Sequence, residues 1–189
     1  MRPVVLHVEH IALAHAWAFA PNDRLRKYCE ETINMISETR NELSETGYDI
    51  TPISEEVRDR LAQDLNEEER RVLLNHGTEA PFCGTLLDNK LDGTYGCRLC
   101  GLPLFSSKHK FESGTGWPSF YTPFDKDHLA EITDDSYGMR RVEIRCARCG
   151  GHQGHVFPDG PPPTGSRYCL NSASLEFFAE GDDIPQKID

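Results

Sequence analysis

The chain has 189 residues, 38% hydrophobic and 27% charged, enough for one well-packed domain plus an extension and too few for two large domains. Its 31 acidic against 20 basic side chains give a formal charge of −11, which argues against a protein that grips phosphate backbones. No apolar run approaches the roughly 20 residues that span a bilayer, so neither nucleic acid nor membrane is an expected partner.

In chain order, the first stretch, VVLHVEHIALAHAWAFA, is fairly apolar and ends in Ala18-Phe19-Ala20, faintly like a secretory cleavage site. It is interrupted by Glu9, His7, His10 and His15 and preceded only by Arg2, so it reads as a poorly ordered leader or as sequence upstream of a start at Met35. Residues 22–46 carry helical spacing (Leu25, Cys29, Ile33, Ile36, Leu43) and close at Gly47. Ile53, Val57 and Leu61 mark a second short amphipathic helix. Asn66 with Glu69 three residues on is a capping-box pattern that opens a third helix, with Gly77 as its stop. From about residue 80 glycine, proline, aromatics and cysteine rise. RRVEIRC alternates as a half-buried strand, and RYCLNSASLEFF reads as extended, with Cys169 and Asn171 on one face. FPDGPPPTG between them is a loop. The expected architecture is α+β: N-terminal helices preceding a small antiparallel β domain. An extension over 1–50 precedes a domain over 51–180, made of helices at 53–76 and a β core at 80–178.

Seven cysteines is an odd number, and four of them sit in paired CxxC motifs. That pattern reads as metal plus free thiols in a reducing compartment, by default the cytoplasm, rather than a disulfide framework. Cys97-Arg98-Leu99-Cys100-Gly101 and Cys146-Ala147-Arg148-Cys149-Gly150 are near-copies. Two residues between thiolates let both sulfurs reach one ion from a tight turn, and the following glycine accepts the positive φ that the turn requires. Four thiolates select zinc, and a closed shell of four leaves no position for substrate, so the zinc, one per chain, is structural.

Cys169 belongs to neither pair. A reactive thiol needs cationic or hydrogen-bond-donating neighbours to lower its pKa, and Arg167 and Asn171 fall on its face of a strand. GGHQGHVF brings His152 and His155 just beyond the second CxxC, where histidine can transfer protons near neutrality. Trp117, in GTGWPSF, is core or pocket wall. His76, His109 and His128 read as surface or capping residues.

PFCGTLLDNKLDGTYGCRLCGLPLF, FESGTGWPSFY and IRCARCGGHQGHVFPDGPPPTGSRYCLNSASLEF together resemble the B-type methionine-R-sulfoxide reductases over residues 78–178. The resemblance implies two small antiparallel sheets, a zinc held by Cys97, Cys100, Cys146 and Cys149, and Cys169 as the catalytic cysteine. It implies that His152, His155 and Asn171 line the sulfoxide site with Trp117 as an aromatic wall, beside Arg167. The implied chemistry is attack of Cys169 on the sulfoxide sulfur, a sulfenic acid, condensation with a second thiol, and regeneration by a thioredoxin-like reductant. Many family members carry that second thiol between the two glycines before the tryptophan, where this chain has Thr115. Cys83 is the first internal candidate, Cys29 another, and direct attack by the external reductant a third route. The competing functions are a non-catalytic zinc module binding a small ligand or protein, and a cysteine hydrolase using Cys169 with histidine and Asn171.

Overall fold

The structure, a computed structural model, describes residues 42–138, 140–185 and 187. The helix expected from residue 22 lies mostly outside them, as does Cys29. Its last residues, 42–46, are not helical. Leu43 and Asp49 form an antiparallel bridge around Gly47, and Thr46 donates its N–H and hydroxyl to Asp125 Oδ2 at 3.0 and 2.7 Å. Polar partners within reach of the turn replace the ladder of a helix end.

Two short helices follow. Helix α1, Glu55–Leu61, starts where the Ser54 hydroxyl accepts from Val57 N–H. Helix α2, Glu67–Leu73, carries the full capping box: Glu69 N–H donates to Asn66 Oδ1 at 2.9 Å and Asn66 N–H to Glu69 Oε2 at 2.8 Å. Its stop differs from the expected one. His76, not Gly77, takes the left-handed backbone, at φ 54°. Gly77 is needed because its N–H returns to Arg71 O, where an added Cβ would lie 2.8 Å from that oxygen.

Nine strands follow among the described residues: β1 (Gly93–Cys97), β2 (Pro103–Ser106), β3 (Lys110–Phe111), β4 (Ser119–Phe120), β5 (Leu129–Asp134), β6 (Arg141–Cys146), β7 (His152–Phe157), β8 (Arg167–Leu170) and β9 (Leu175–Ala179). They form two antiparallel sheets, β2-β1-β9 and β3-β4-β8-β7-β6-β5. The core is shared between them. Tyr95 of β1 packs edge-on to Phe120 of β4 with ring centroids 5.0 Å apart, and Phe105 of β2 stacks on Phe120 at 4.7 Å. All three are fully buried, each contributing roughly 1.5–3 kcal/mol of transfer free energy. Leu73 of α2 joins the same cluster, which fixes the helix against the β core.

RYCLNSASLEFF is not one extended run. The backbone leaves β8 at Leu170, makes a 3-10 turn over Ser172–Ser174, and re-enters as β9 in the other sheet. The two carboxylate oxygens of buried Glu79 accept from Ser172 N–H at 2.6 Å and Ala173 N–H at 3.0 Å, satisfying donors that a strand would have paired. His128 is also unlike its expectation: it is fully buried, with Nδ1 2.5 Å from Pro103 O and Nε2 2.8 Å from Ser44 Oγ.

Candidate active site

The CxxC motifs sit in turns, one between β1 and β2 and one between β6 and β7, so each belongs to a different sheet. In each, the glycine after the second cysteine returns its N–H to the first: Gly101 to Cys97 O at 2.8 Å and Gly150 to Cys146 O at 2.9 Å, with φ of 77° and 68°. The four sulfurs are buried within 4.8 Å of one another, Cys97 Sγ 3.5 Å from Cys149 Sγ and Cys100 Sγ 3.6 Å from Cys146 Sγ. A tetrahedron with metal–sulfur bonds near 2.3 Å has sulfurs about 3.8 Å apart, so the set is fit to hold a metal ion. Burial and the neighbouring sulfurs push the Cys146 thiol well up, while hydrogen bonds from the other three sulfurs hold the Cys97 thiol well down. Gly151 N–H and the Gln153 amide donate toward Cys149 and Cys97 sulfurs, at 3.4 and 3.5 Å, as they would to thiolates. Arg148, fully buried, donates from Nε to Asp49 O at 2.7 Å and from Nη1 to Cys100 O at 3.3 Å, tying the chain at residue 49 to both turns.

Beyond the second turn, strand register decides which side chains meet. Ser119 of β4 pairs with Cys169 of β8, Cys169 with His155 of β7, and His155 with Glu143 of β6. Directly opposed residues share a sheet face, so hydroxyl, thiol, imidazole and carboxylate form one row. The next pair on that face is Phe157 opposite Arg167. The register shift at Ile144/Arg145 absorbs one extra residue in β7 and brings His152 onto this face as well. Its ring lies 5.5 Å from that of His155, edge to face. Gly154 between them is required: an added Cβ would lie 2.1 Å from Cys169 O.

Each imidazole is anchored by a carboxylate. His152 Nδ1 is 2.6 Å from Glu143 Oε1, and His155 Nε2 is 2.9 Å from Asp134 Oδ2. Burial lowers the His152 pKa against the pull of Glu143, so its ring is neutral at neutral pH. Its Nε2 is buried with no hydrogen-bond partner among the described residues. Glu143 is held ionised: burial opposes this, but Arg145, His76 and His152 together outweigh it and bring its pKa to about 2.

Cys169 is half-buried, with Thr115 Oγ1 3.8 Å from its sulfur. Thr115 is in turn 2.8 Å from Ser113 Oγ, and Ser113 2.8 Å from Ser119 Oγ, a hydroxyl chain that ends on Trp117 O. Of the two neighbours expected from the sequence only Arg167 shares the thiol's face, and together with the hydroxyls it does not lower the thiol overall. Burial pushes it up, and Thr115, Arg167 and Ser119 recover only part of that. Arg167 is divided between tasks: it grips Asp159 with Nε and Nη2 at 2.8 and 2.9 Å and lies 4.5 Å above the Phe157 ring.

The other sequence-derived residues are placed as follows. Asn171, buried, does not share the strand face of Cys169, because it follows the end of β8. Its Oδ1 accepts from Glu79 N–H at 3.0 Å and its Nδ2 donates to Gln153 O at 3.1 Å. Trp117, half-buried, donates from Nε1 to Glu79 O at 3.1 Å and lines a hollow of about 100 Å3 with Gly116, Pro118 and Ser119. His152 and His155 line a separate, larger cavity of about 690 Å3. In the cross-strand row Cys169 stands between Ser119 on the first hollow and His155 on the second. Cys83 is exposed, next to Phe82, whose N–H donates to Gly116 O at 2.8 Å. It thus lies beside the loop that carries Thr115.

Sequence reasoning missed Glu79, Asp134, Glu143 and Phe157. Glu143 read as the solvent-facing member of an alternating strand; only the pairing of β6 with β7, and of β7 with β8, turns that face into a site. Glu79 carried no local signal, since the partners of its carboxylate are more than ninety positions away.

The SelR domain profile matches residues 65–179. A protein of Caulobacter vibrioides named "Peptide methionine sulfoxide reductase MsrB" is 62% identical over 146 residues, 77% of this chain and 92% of that protein. One of the same name from Xylella fastidiosa is 60% identical over 141 residues, covering 75% and 91%. One from Escherichia coli is 57% identical over 117 residues, covering 62% and 85%.

Proposed function

This chain belongs to the SelR domain family, and we propose that it reduces methionine-R-sulfoxide, free or in proteins, to methionine with Cys169 as nucleophile. The single observation that carries this reading is the cross-strand row: a half-buried thiol with hydroxyl donors on one side and a carboxylate-anchored imidazole on the other.

Methionine sulfoxide presents an apolar methyl, a polar oxygen and a chiral sulfur. Trp117 supplies the apolar wall, and His155 and His152 supply the polar one. The sulfur of Cys169 approaches from a third direction, and three fixed directions around one sulfur select a single epimer. The Cys169 thiol, neutral at rest, loses its proton as it attacks. That proton passes to an imidazole, and the resulting imidazolium hands it to the sulfoxide oxygen, directly or through water. The sulfoxide S–O bond breaks, a bond from oxygen to Cys169 Sγ forms, and methionine leaves while Cys169 becomes a sulfenic acid. Asn171 acts by position, bridging Glu79 to Gln153 and so fixing the turn that ends β8. Arg167 acts on the substrate side, flanking the thiol with Phe157.

Cys83 resolves the sulfenic acid. Its thiol attacks Cys169 Sγ, water departs, and a disulfide remains, which a thioredoxin-like dithiol reduces at the expense of its own oxidation. The placement of Cys83 beside the Gly116 loop supports this, with Thr115 at the alternative position. Zinc is the ion for Cys97, Cys100, Cys146 and Cys149, where it ties the two sheets together; no substrate step involves it. Unpaired thiols at Cys83 and Cys169 suit a reducing compartment, the cytoplasm.

The test is thioredoxin-driven turnover of each epimer of a methionine sulfoxide derivative. Only the R epimer is expected to react. Cys169→Ser loses all activity, whereas Cys83→Ser completes one turnover and then stalls with thioredoxin. Turnover of the S epimer, or by Cys169→Ser, contradicts the reading. Full thioredoxin-driven activity in Cys83→Ser removes Cys83 as resolver and leaves Cys169 in place.

A further inference from the structure

The larger cavity contains a cluster that sulfoxide reduction does not require. His76 Nδ1, Glu143 Oε1 and His152 Nδ1 lie within 4.8 Å of one another, the carboxylate oxygen 2.8 Å from the first nitrogen and 2.6 Å from the second. The three residues come from different parts of the chain: the exit of α2, β6 and β7. We propose that this cluster is a second metal site, which takes a divalent transition-metal ion such as zinc on two imidazole nitrogens and one carboxylate oxygen and, by occupying His152, stops turnover. The inhibitory half of the proposal rests on the reductase reading; the binding half does not.

The donor set suits the ion. Two imidazoles and a carboxylate form the open three-ligand arrangement that zinc accepts, with its remaining positions facing the cavity. Two of the ligands are rigidly placed. His152 is buried in β7, and Glu143 has its other oxygen held by Arg145 at 2.7 Å, which leaves Oε1 turned toward both nitrogens. Ligand atoms bound to zinc at about 2.0–2.2 Å sit roughly 3.3 Å apart, so the cluster must open by about half an ångström. His76, whose side chain is 47% exposed, can supply that movement at its own contact, and the 2.6 Å Glu143–His152 contact opens by a small rotation of the carboxylate about its Arg145-held oxygen. Its backbone gives a second, independent indication. Histidine, not the adjacent Gly77, holds the left-handed conformation, and the strain of that placement aims an imidazole at Glu143. The cations lining the cavity are already matched: Arg145 by Glu143, Arg141 by Asp134 at 2.6 Å and Arg71 by Glu68.

The proposal is tested by titrating zinc chloride into the reduced enzyme with its four-cysteine site already filled, following heat of binding and reductase rate. The wild type is expected to take one further ion per chain and to lose activity over the same concentration range. Cys169→Ser should bind that ion equally well, which excludes the reactive thiol as its ligand. His76→Asn, whose side chain tolerates the left-handed backbone, should bind at least tenfold more weakly, and its inhibition midpoint, taken relative to its own zinc-free rate, should rise by the same factor. Glu143→Gln provides a second ligand variant with the same expected loss of binding. No further ion in the active wild type, or unchanged binding in both ligand variants, overturns the site while leaving the reductase intact. Binding without inhibition overturns the block at His152. A chain that binds the ion as expected but never reduced sulfoxide leaves the metal site standing and refutes the reductase.

Discussion

Burial holds the Cys169 thiol above its ordinary range, and the Thr115 hydroxyl, 3.8 Å from the sulfur, is the strongest influence pulling it back. Removing that donor destabilises the thiolate, so Thr115→Val should move the pH midpoint of Cys169 alkylation upward and slow sulfoxide reduction. Thr115→Ser, which keeps the hydroxyl, should move it little. Iodoacetamide labelling followed by mass mapping reads this directly, and a midpoint unmoved in Thr115→Val contradicts the role. Thr115 was visible in the sequence only as a missing thiol; its hydroxyl role required the register that sets Ser119 opposite Cys169. Glu143 gives a linkage of opposite kind. Its folded pKa, about 2, lies below the ordinary glutamate value of 4.5, so its contribution to stability is present above about pH 4.5 and is lost as pH falls toward 2. Urea midpoints measured from pH 5 down to 2.5 should fall more steeply in the wild type than in Glu143→Gln. Parallel curves would show that the His76, His152 and Arg145 contacts do not stabilise the fold.

At the level of elements, α2 was the most legible. Asn66 and Glu69 announce its start through contacts three residues apart, and both hydrogen bonds form. Asn66→Ala should cost about 1 kcal/mol, measured by chemical denaturation. The segment after β8 was least legible, because its alternation of residues continues through Asn171 while the chain turns. What stops the strand there is Glu79, which accepts two backbone N–H groups of the turn, donates its own N–H to Asn171 and receives Trp117 Nε1 at its carbonyl. Glu79→Ala leaves the buried Ser172 N–H unpaired, a loss of roughly 1–3 kcal/mol, and also strips the half-buried Ala173 N–H of its acceptor. It should also lower sulfoxide turnover, since Trp117 and the end of β8 are both held through this residue. An unchanged denaturation midpoint in Glu79→Ala would refute the assignment.

Across the whole molecule, the four cysteines are where turns of the two sheets meet, one CxxC turn from each. The doubled motif made this legible in the sequence: spacing within each turn is local and the donor set is specific. What the doubled motif could not reveal was which side chains the joined sheets bring to one face, because the pairing of β4, β8, β7 and β6 spans tens of residues. The four-cysteine cluster lies in turns between strands, and the row containing Cys169 runs across one of those sheets. Loss of one of these four sulfurs, as in Cys146→Ser, should therefore cost cooperative folding before it costs chemistry. The most direct test of the central claim, that Cys169 takes the sulfoxide oxygen, uses the full chain without any reductant. Mixed with excess methionine-R-sulfoxide, the reduced protein should release one methionine per chain and lose two hydrogen atoms in intact mass, with peptide mapping linking Cys83 to Cys169. Release of methionine by Cys169→Ser, or a wild-type chain that yields product with Cys169 still a free thiol, would contradict it.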